Sequence, residues 1–148
     1  ATAHLAVLIG KELTIVNKVS AGSFVYMSSR VGGTLPMHAS ATGKCVLAWL
    51  PAEQRAELLE ECDFKRYTDS TITDKAALES ELSVTRVRGY ALDDGETHDG
   101  LYCIGCPVLD AAGDIFAAVS VSGSRAALES QLDAVVNSIR NSLKNIGI

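Results

Sequence analysis

The chain has 148 residues, 47% of them hydrophobic and 21% charged, with a net charge of −5. That composition suits one globular domain with a real core, and the acidic balance argues against nucleic acid as a partner of this chain, because phosphate binding needs a basic face. No apolar run approaches the roughly 20 residues of a membrane span, and no signal-peptide pattern opens the chain.

From the N-terminus, His4 to Ile9 and Glu12 to Val19 flank Gly10-Lys11 and read as a hairpin with Leu13, Ile15 and Val19 on its inner face. Ala21-Gly22-Ser23 turns the chain into a strand over Phe24 to Met27, and Ser28 to Thr34 is a loop marked by Gly32-Gly33. Leu35 to Lys44 then leads into a helix with Ser40 as N-cap and Val46, Leu47 and Leu50 as its apolar stripe. The first turn of that helix, Ala41-Thr42-Gly43, sets tiny side chains around unpaired backbone N–H groups. Such a turn is either an anion site or a helix start packed against a neighbour. Gly43-Lys44 does not complete a phosphate-binding loop, since His38 holds the first glycine position and Cys45 replaces Ser or Thr; nucleotide binding is rejected on that ground.

Pro51 opens a second helix as its first residue, over Ala52 to Glu61, and Thr73-Asp74 caps a third with Leu78 and Leu82 inward and Gly89 at its end. Tyr90-Ala91-Leu92 is a short strand leading to Asp93-Asp94. Ser124 caps a long final helix in which Leu128, Leu132, Val135, Val136, Ile139, Leu143 and Ile146 follow the 3.6-residue period. An antiparallel sheet with segregated helices is an α+β domain.

Between these elements, Leu101 to Leu109 and Asp114 to Ser122 read as a hairpin around Asp110-Ala111-Ala112-Gly113. Pairing Leu109 with Asp114 sets Cys103 opposite Ser120, Leu101 opposite Ser122 and Gly105 opposite Ala118. One face then carries Tyr102, Ile104, Cys106, Val108, Ile115, Ala117, Val119 and Val121, a core face. The other carries Leu101, Cys103, Gly105, Ala118, Ser120 and Ser122. Small residues with a thiol and two hydroxyls suit a cavity wall or a covered face of little volume.

The four cysteines, Cys45, Cys62, Cys103 and Cys106, are too few for a disulfide scaffold and fit a reducing cytoplasm. Cys103 and Cys106 have CxxC spacing, but mid-strand their sulfurs point to opposite faces, which disfavours a shared metal.

The LPMHASATGKCVLAWL and RGYALDDGETHDGLYCIGCPVLDAAGDIFAAVSVSG segments resemble the two signature regions of the IclR family of bacterial transcriptional regulators, in its C-terminal effector-binding domain. The resemblance implies a GAF-like antiparallel sheet flanked by helices, with an effector pocket against one face and one domain over residues 1–148. The family's winged helix-turn-helix domain has no counterpart here, so this piece is expected to sense rather than bind DNA. It further implies a small organic or aromatic acid as effector. Ala41 and Thr42 would give backbone N–H donors, Asp93, Cys103, Ser120 and Ser122 polar contacts, and Phe24, Met27, Leu35, Leu101 and Val121 the apolar wall. Val121 departs from the strand alternation and would need a local twist. No cofactor and no catalytic residue is expected; Asp93, His98 and Cys103 offer donors should a metal sit near the pocket. His38 reads as a neighbour of the cap and His98 as an exposed loop residue. The partners implied are the effector and further copies of the chain, as dimer or tetramer in the cytoplasm, without a membrane; promoter DNA would be bound by the full-length protein. A thiol- or metal-dependent enzyme built on Cys103 is the rival reading, and a purely structural dimerisation domain leaves the small polar face unexplained.

Overall fold

A two-residue turn at Gly10-Lys11, with Gly10 at φ 63°, joins β1 (Thr2–Ile9) to β2 (Glu12–Ser20) in an antiparallel pair. The structure, a computed structural model, describes residues 1–21 and 29–148. The expected strand over Phe24 to Met27, with both of its candidate contact residues, lies outside the described residues. Leu13 and Ile15 are buried as alternation requires. The register then slips: Ala6 faces Ile15 while Leu5 faces Asn17, so Val16 is the extra residue of a bulge. Beyond it the facing inverts. Val19, expected inside, is exposed, and Lys18 shares the inner face with His4.

After the short β3 (Thr34–Leu35) come three helices, α1 (Ala41–Trp49), α2 (Ala52–Glu61) and α3 (Lys75–Arg88). Ser40 caps α1 by accepting from Gly43 N, Asp74 caps α3 by accepting from Ala77 N, and Gly89 at φ 91° ends α3. Pro51 stands one place earlier than expected, as the N-cap of α2. Strands β4 (Ala91–Asp94), β5 (Leu101–Leu109) and β6 (Ile115–Ser124) complete a six-stranded sheet ordered β3-β2-β1-β6-β5-β4, with every pair antiparallel.

The β5–β6 register differs from the one expected. Cys103 pairs with Ser122, Leu101 with Ser124, Gly105 with Ser120 and Leu109 with Ile115, with an irregularity between Val108 and Leu109. The slip over most of the hairpin is two residues, an even number, so the facing of its side chains survives. Ile115 is the exception: the irregularity turns it to the opposite face, against Ala6 and Leu13. The final helix is also interrupted. Ser124 caps α4 (Arg125–Leu128), a 3₁₀ turn follows over Glu129–Gln131, and α5 (Leu132–Asn145) continues. The bend seats Leu128 against Gly123, whose absent Cβ would lie 3.0 Å from the leucine Cδ1.

Two apolar layers result. On one face α1 lays Cys45, Val46 and Leu50 on Ala6, Leu13 and Ala118, and turns Leu47 and Ala48 back toward Leu59 of α2 and Leu78 and Leu82 of α3. On the other, Leu128, Val136 and Ile139 cover Tyr102, Ile104 and Cys106. The start of α1 is wedged tightly: a Cβ on Gly43 would lie 2.6 Å from the Met37 Cα and carbonyl oxygen, and one on Gly105 would lie 2.9 Å from the Ala41 carbonyl oxygen. Backbone that close does not yield as a side chain does. Gly43→Ala is expected to cost about 1–3 kcal/mol and to lower the melting temperature by about 2–4 °C per kcal/mol, as calorimetry of the two proteins would measure.

Candidate functional site

The antiparallel registers lay two rows of residues across the inner face of the sheet. One runs Asp93, Cys103, Ser122, Thr2, and the next runs Ala91, Gly105, Ser120, His4, Lys18. Small side chains along β5 and β6 leave space above them, and the first turn of α1 stands at its edge. The resulting cavity has a volume of about 400 Å³, within the range of small-molecule sites. Its floor is His4, Leu101, Cys103, Ser120 and Ser122; its walls come from Ser29 and Arg30, from Gly33 to Pro36, from Ser40 and Ala41, and from Tyr67, Asp93, Thr97 and His98.

Ser40 organises the helix end. Its hydroxyl donates to the Pro36 carbonyl at 2.6 Å and accepts from Gly43 N at 3.0 Å, while its own carbonyl accepts from Lys44 N at 3.0 Å. The N–H groups of Ala41 and Thr42 therefore have no partner among the described residues, and the helix dipole adds positive potential there. One turn inside, Lys44 is buried, and its Nζ donates to both carboxylate oxygens of Glu96 at 2.8 Å, with Glu81 of α3 at 3.9 Å. Glu96 Oε2 also accepts from Asp94 N, and its backbone carbonyl accepts from the Thr71 hydroxyl at 2.6 Å.

This ties down the loop that shapes Asp93. Its Oδ1 accepts from Glu96 N at 2.7 Å and its Oδ2 from the Thr97 hydroxyl at 2.5 Å. Burial pushes the Asp93 carboxyl above the usual carboxylate range, although these donors and the Lys44 charge pull the other way. Glu96 is pushed up by burial in the same manner against the opposing pull of Lys44. Burial, with the Asp93 charge beside it, holds the Cys103 thiol far above its ordinary range, so it is protonated. A thiol in that state is a poor nucleophile, which weighs against an enzyme built on Cys103. At the far end, His4 Nε2 sits 2.7 Å from the Ser29 hydroxyl, and Lys18 Nζ donates to the Ser29 carbonyl. Burial first, and the Lys18 charge second, lower the His4 pKa.

A sequence profile described as the C-terminal domain of the bacterial transcriptional regulator IclR matches residues 1–147. The chain belongs to the IclR family. Among its relatives is the HTH-type transcriptional regulator XynR of Escherichia coli K12, 34% identical over 147 residues, an alignment that covers 99% of this chain and 57% of that protein. The crystal structure of the Thermotoga maritima IclR superposes with a TM-score of 0.91 at 33% identity, over 98% of this chain and 59% of that one. An IclR homologue from Microbacterium hydrocarbonoxydans, solved with 4-hydroxybenzoate, gives a TM-score of 0.86 at 29% identity, over 98% and 58% of the two chains. The chain thus spans somewhat more than half the length of these regulators, and its sheet and helices are those of the IclR effector-binding domain.

Within that IclR domain, the candidate residues Leu35, Ala41, Asp93, Leu101, Cys103, Ser120 and Ser122 all line the cavity. Thr42 does not line it, although its N–H belongs to the same unpaired turn. Val121 does not line it either: it packs on the opposite face with the Tyr102 and Ile104 cluster, as strand alternation requires. His4, Ser29, Arg30, Tyr67 and Thr97 were missed. Alternation along β1 was a usable signal for His4, two residues from the buried Ala6; the others reach the cavity from loops. His98 is exposed, as expected, and stands at the rim. His38, two residues before the Ser40 cap, is a buried ring whose Nε2 lies 2.7 Å from the Lys65 carbonyl oxygen.

Two stability predictions follow from this electrostatics. Glu96→Gln strands the Lys44 ammonium and should cost about 3 kcal/mol, the lower end for a broken buried pair because Glu81 remains near; joint replacement of Lys44 by Met and Glu96 by Leu should recover most of it in chemical denaturation. For His4, the folded pKa lies below the unfolded one, so the unfolded chain takes the proton first as pH falls. Stability from neutral His4 is therefore whole above the ordinary value of about 6.5 and is lost as pH drops through the lower folded value. Between about pH 7.5 and pH 5.5, His4→Gln should remove this part of the pH dependence of the melting temperature, a difference that cancels the opposite-signed titration of Asp93 and Glu96.

Proposed function

We propose that the cavity binds a small hydroxylated or keto carboxylic acid, aromatic acids included, and that its occupancy modulates transcription by a longer, self-associating cytoplasmic regulator that binds promoter DNA through another domain. The observation that carries this reading is the start of α1, where the Ala41 and Thr42 N–H groups have no partner among the described residues and Ala41 lines the same cavity of about 400 Å³ as Ser120 and Ser122. A ligand carboxylate at that helix end takes N–H donors from Ala41 and, one residue on, Thr42, with the dipole favouring the anion by about 0.3–1 kcal/mol at an exposed end and more when partly buried. Ser120 and Ser122 supply hydroxyl donors from the floor. Leu35 and Leu101 give apolar contact, and the raised pKa of Asp93 lets it accept from a ligand hydroxyl or, when protonated, donate to a carboxylate. The 4-hydroxybenzoate bound by the Microbacterium homologue belongs to this chemical class.

A panel containing 4-hydroxybenzoate, benzoate and aliphatic hydroxy and keto acids, read by thermal shift and then calorimetry, tests the proposal. Binding of a hydroxylated or keto acid well above its unsubstituted analogue is expected. Removing both serine donors, each worth about 0.5–3 kcal/mol, with Ser120→Ala and Ser122→Ala should weaken that acid at least about tenfold with the fold intact. Unchanged affinity in the double variant would place the ligand elsewhere.

A further inference from the structure

Behind the α1 wall of the effector cavity lies a second groove, of about 290 Å³, bordered by His38, Glu61, Cys62 and Asp63. A ring nitrogen of His38, the Cys62 Sγ and a carboxylate oxygen of Asp63 all lie within 4.8 Å of one another. We propose that His38, Cys62 and Asp63 form a site for a divalent cation of the zinc class, with water completing four-fold coordination. Nothing in the effector reading uses these three side chains.

The donor set selects the metal. Thiolate and imidazole favour zinc and its neighbours over magnesium or calcium, which prefer all-oxygen shells. Bond lengths of about 2.0–2.3 Å to N, O and S put tetrahedral ligand atoms about 3.3–3.8 Å apart, so closing the cluster needs a shift of about 1 Å. The exposed Asp63 side chain, in the segment after α2, can supply it.

The histidine is already held as a ligand would be. The Lys65 carbonyl can only accept, so the His38 Nε2 at 2.7 Å donates to it, and Nδ1 is the nitrogen left to a metal. Metal-bound histidines are held by this kind of bond to a backbone carbonyl. The segment presenting the other two donors is neither helix nor strand. Phe64 adopts φ 49°, a left-handed conformation rare for a bulky residue. Asp63 Oδ1 accepts from Lys65 N at 3.1 Å, while no hydrogen bond to Oδ2 is found among the described residues. On binding, the Cys62 thiol gives its proton to solvent and forms the sulfur–metal bond, with no change of oxidation state. The site would join the segment ahead of α1 to the segment after α2, and Pro36 and Tyr67 border both this groove and the effector cavity.

Cobalt titration of the chelator-stripped chain, followed by zinc competition, tests this. One equivalent of Co²⁺ should raise a thiolate-to-cobalt charge-transfer band in the near ultraviolet, and Zn²⁺ should abolish it. Cys62→Ser should lose the band, and Asp63→Asn should bind Co²⁺ about tenfold or more weakly, each with an unchanged circular dichroism spectrum. Absence of a band in the unmodified chain, survival of the band in Cys62→Ser, or a cobalt affinity in both variants equal to that of the unmodified chain would overturn the site. Because none of these readouts involves an organic acid, a failed effector screen leaves the metal result standing, and the reverse holds as well.

Discussion

A lysine with no access to solvent holds the effector side of this domain together. Lys44 projects from α1 into a position where water cannot solvate it, and Glu96, on the loop between β4 and β5, meets it with both carboxylate oxygens. Charge removed from water at that depth is tolerable only when it is paired and fully hydrogen-bonded. The pairing therefore dictates where the 93–97 loop can lie. That loop folds onto Asp93 through the Glu96 and Thr97 donors and is pinned from behind by Thr71 and by Thr68, whose hydroxyl donates to the Gly95 carbonyl. A wall of the cavity thus follows from one ion pair.

The same helix is constrained from its other end. Ser40 closes the turn, and the absence of a Cβ at Gly43 and Gly105 lets that turn approach both the Pro36–Met37 backbone and β5. Glycine is required there for close approach, since neither residue has a positive φ. The consequence is a helix N-terminus set at the cavity wall, with two backbone donors that have no partner among the described residues. Cavity chemistry is accordingly mixed: donors at the helix end and on β6, a carboxyl at β4, and a neutral imidazole with a nearby lysine at β1. That mixture is the basis of the proposed ligand class, an acid with a second polar group.

The two faces of the sheet divide the labour. Tyr102, Ile104 and Cys106 are sealed by α4 and α5, while Cys103, Ser120 and Ser122 on the reverse of the same strands are left to the cavity and α1. Strand alternation enforces that division, which is why Cys103 and Cys106 cannot act together despite their spacing. Family membership and site geometry rest on different observations: the first on matched sequence and superposed structure, the second on hydrogen bonds and burial within this chain.

Local pattern by itself determined the α+β class, the three capped helices, the hairpins and the facing of most side chains on β5 and β6. Each of these depends on short-range rules: a cap two or three residues from its N–H, a glycine at a left-handed end, a period of two or 3.6. Tertiary structure decided what those rules cannot reach. The bulge at Val16 turned Val19 outward and Lys18 inward, and the closing pair Leu109–Ile115 and the irregularity at Val108 each moved the hairpin register by one, because hydrogen bonding to a third strand selects among registers that are locally alike. The break after Leu128 answers to packing on Gly123 rather than to helix periodicity. Lys44 carries no sign, within its own helix, that its counter-charge sits 52 residues away. Separation in sequence likewise hides the meeting of Tyr67 and Thr97 at the cavity and of His38 with Cys62 and Asp63.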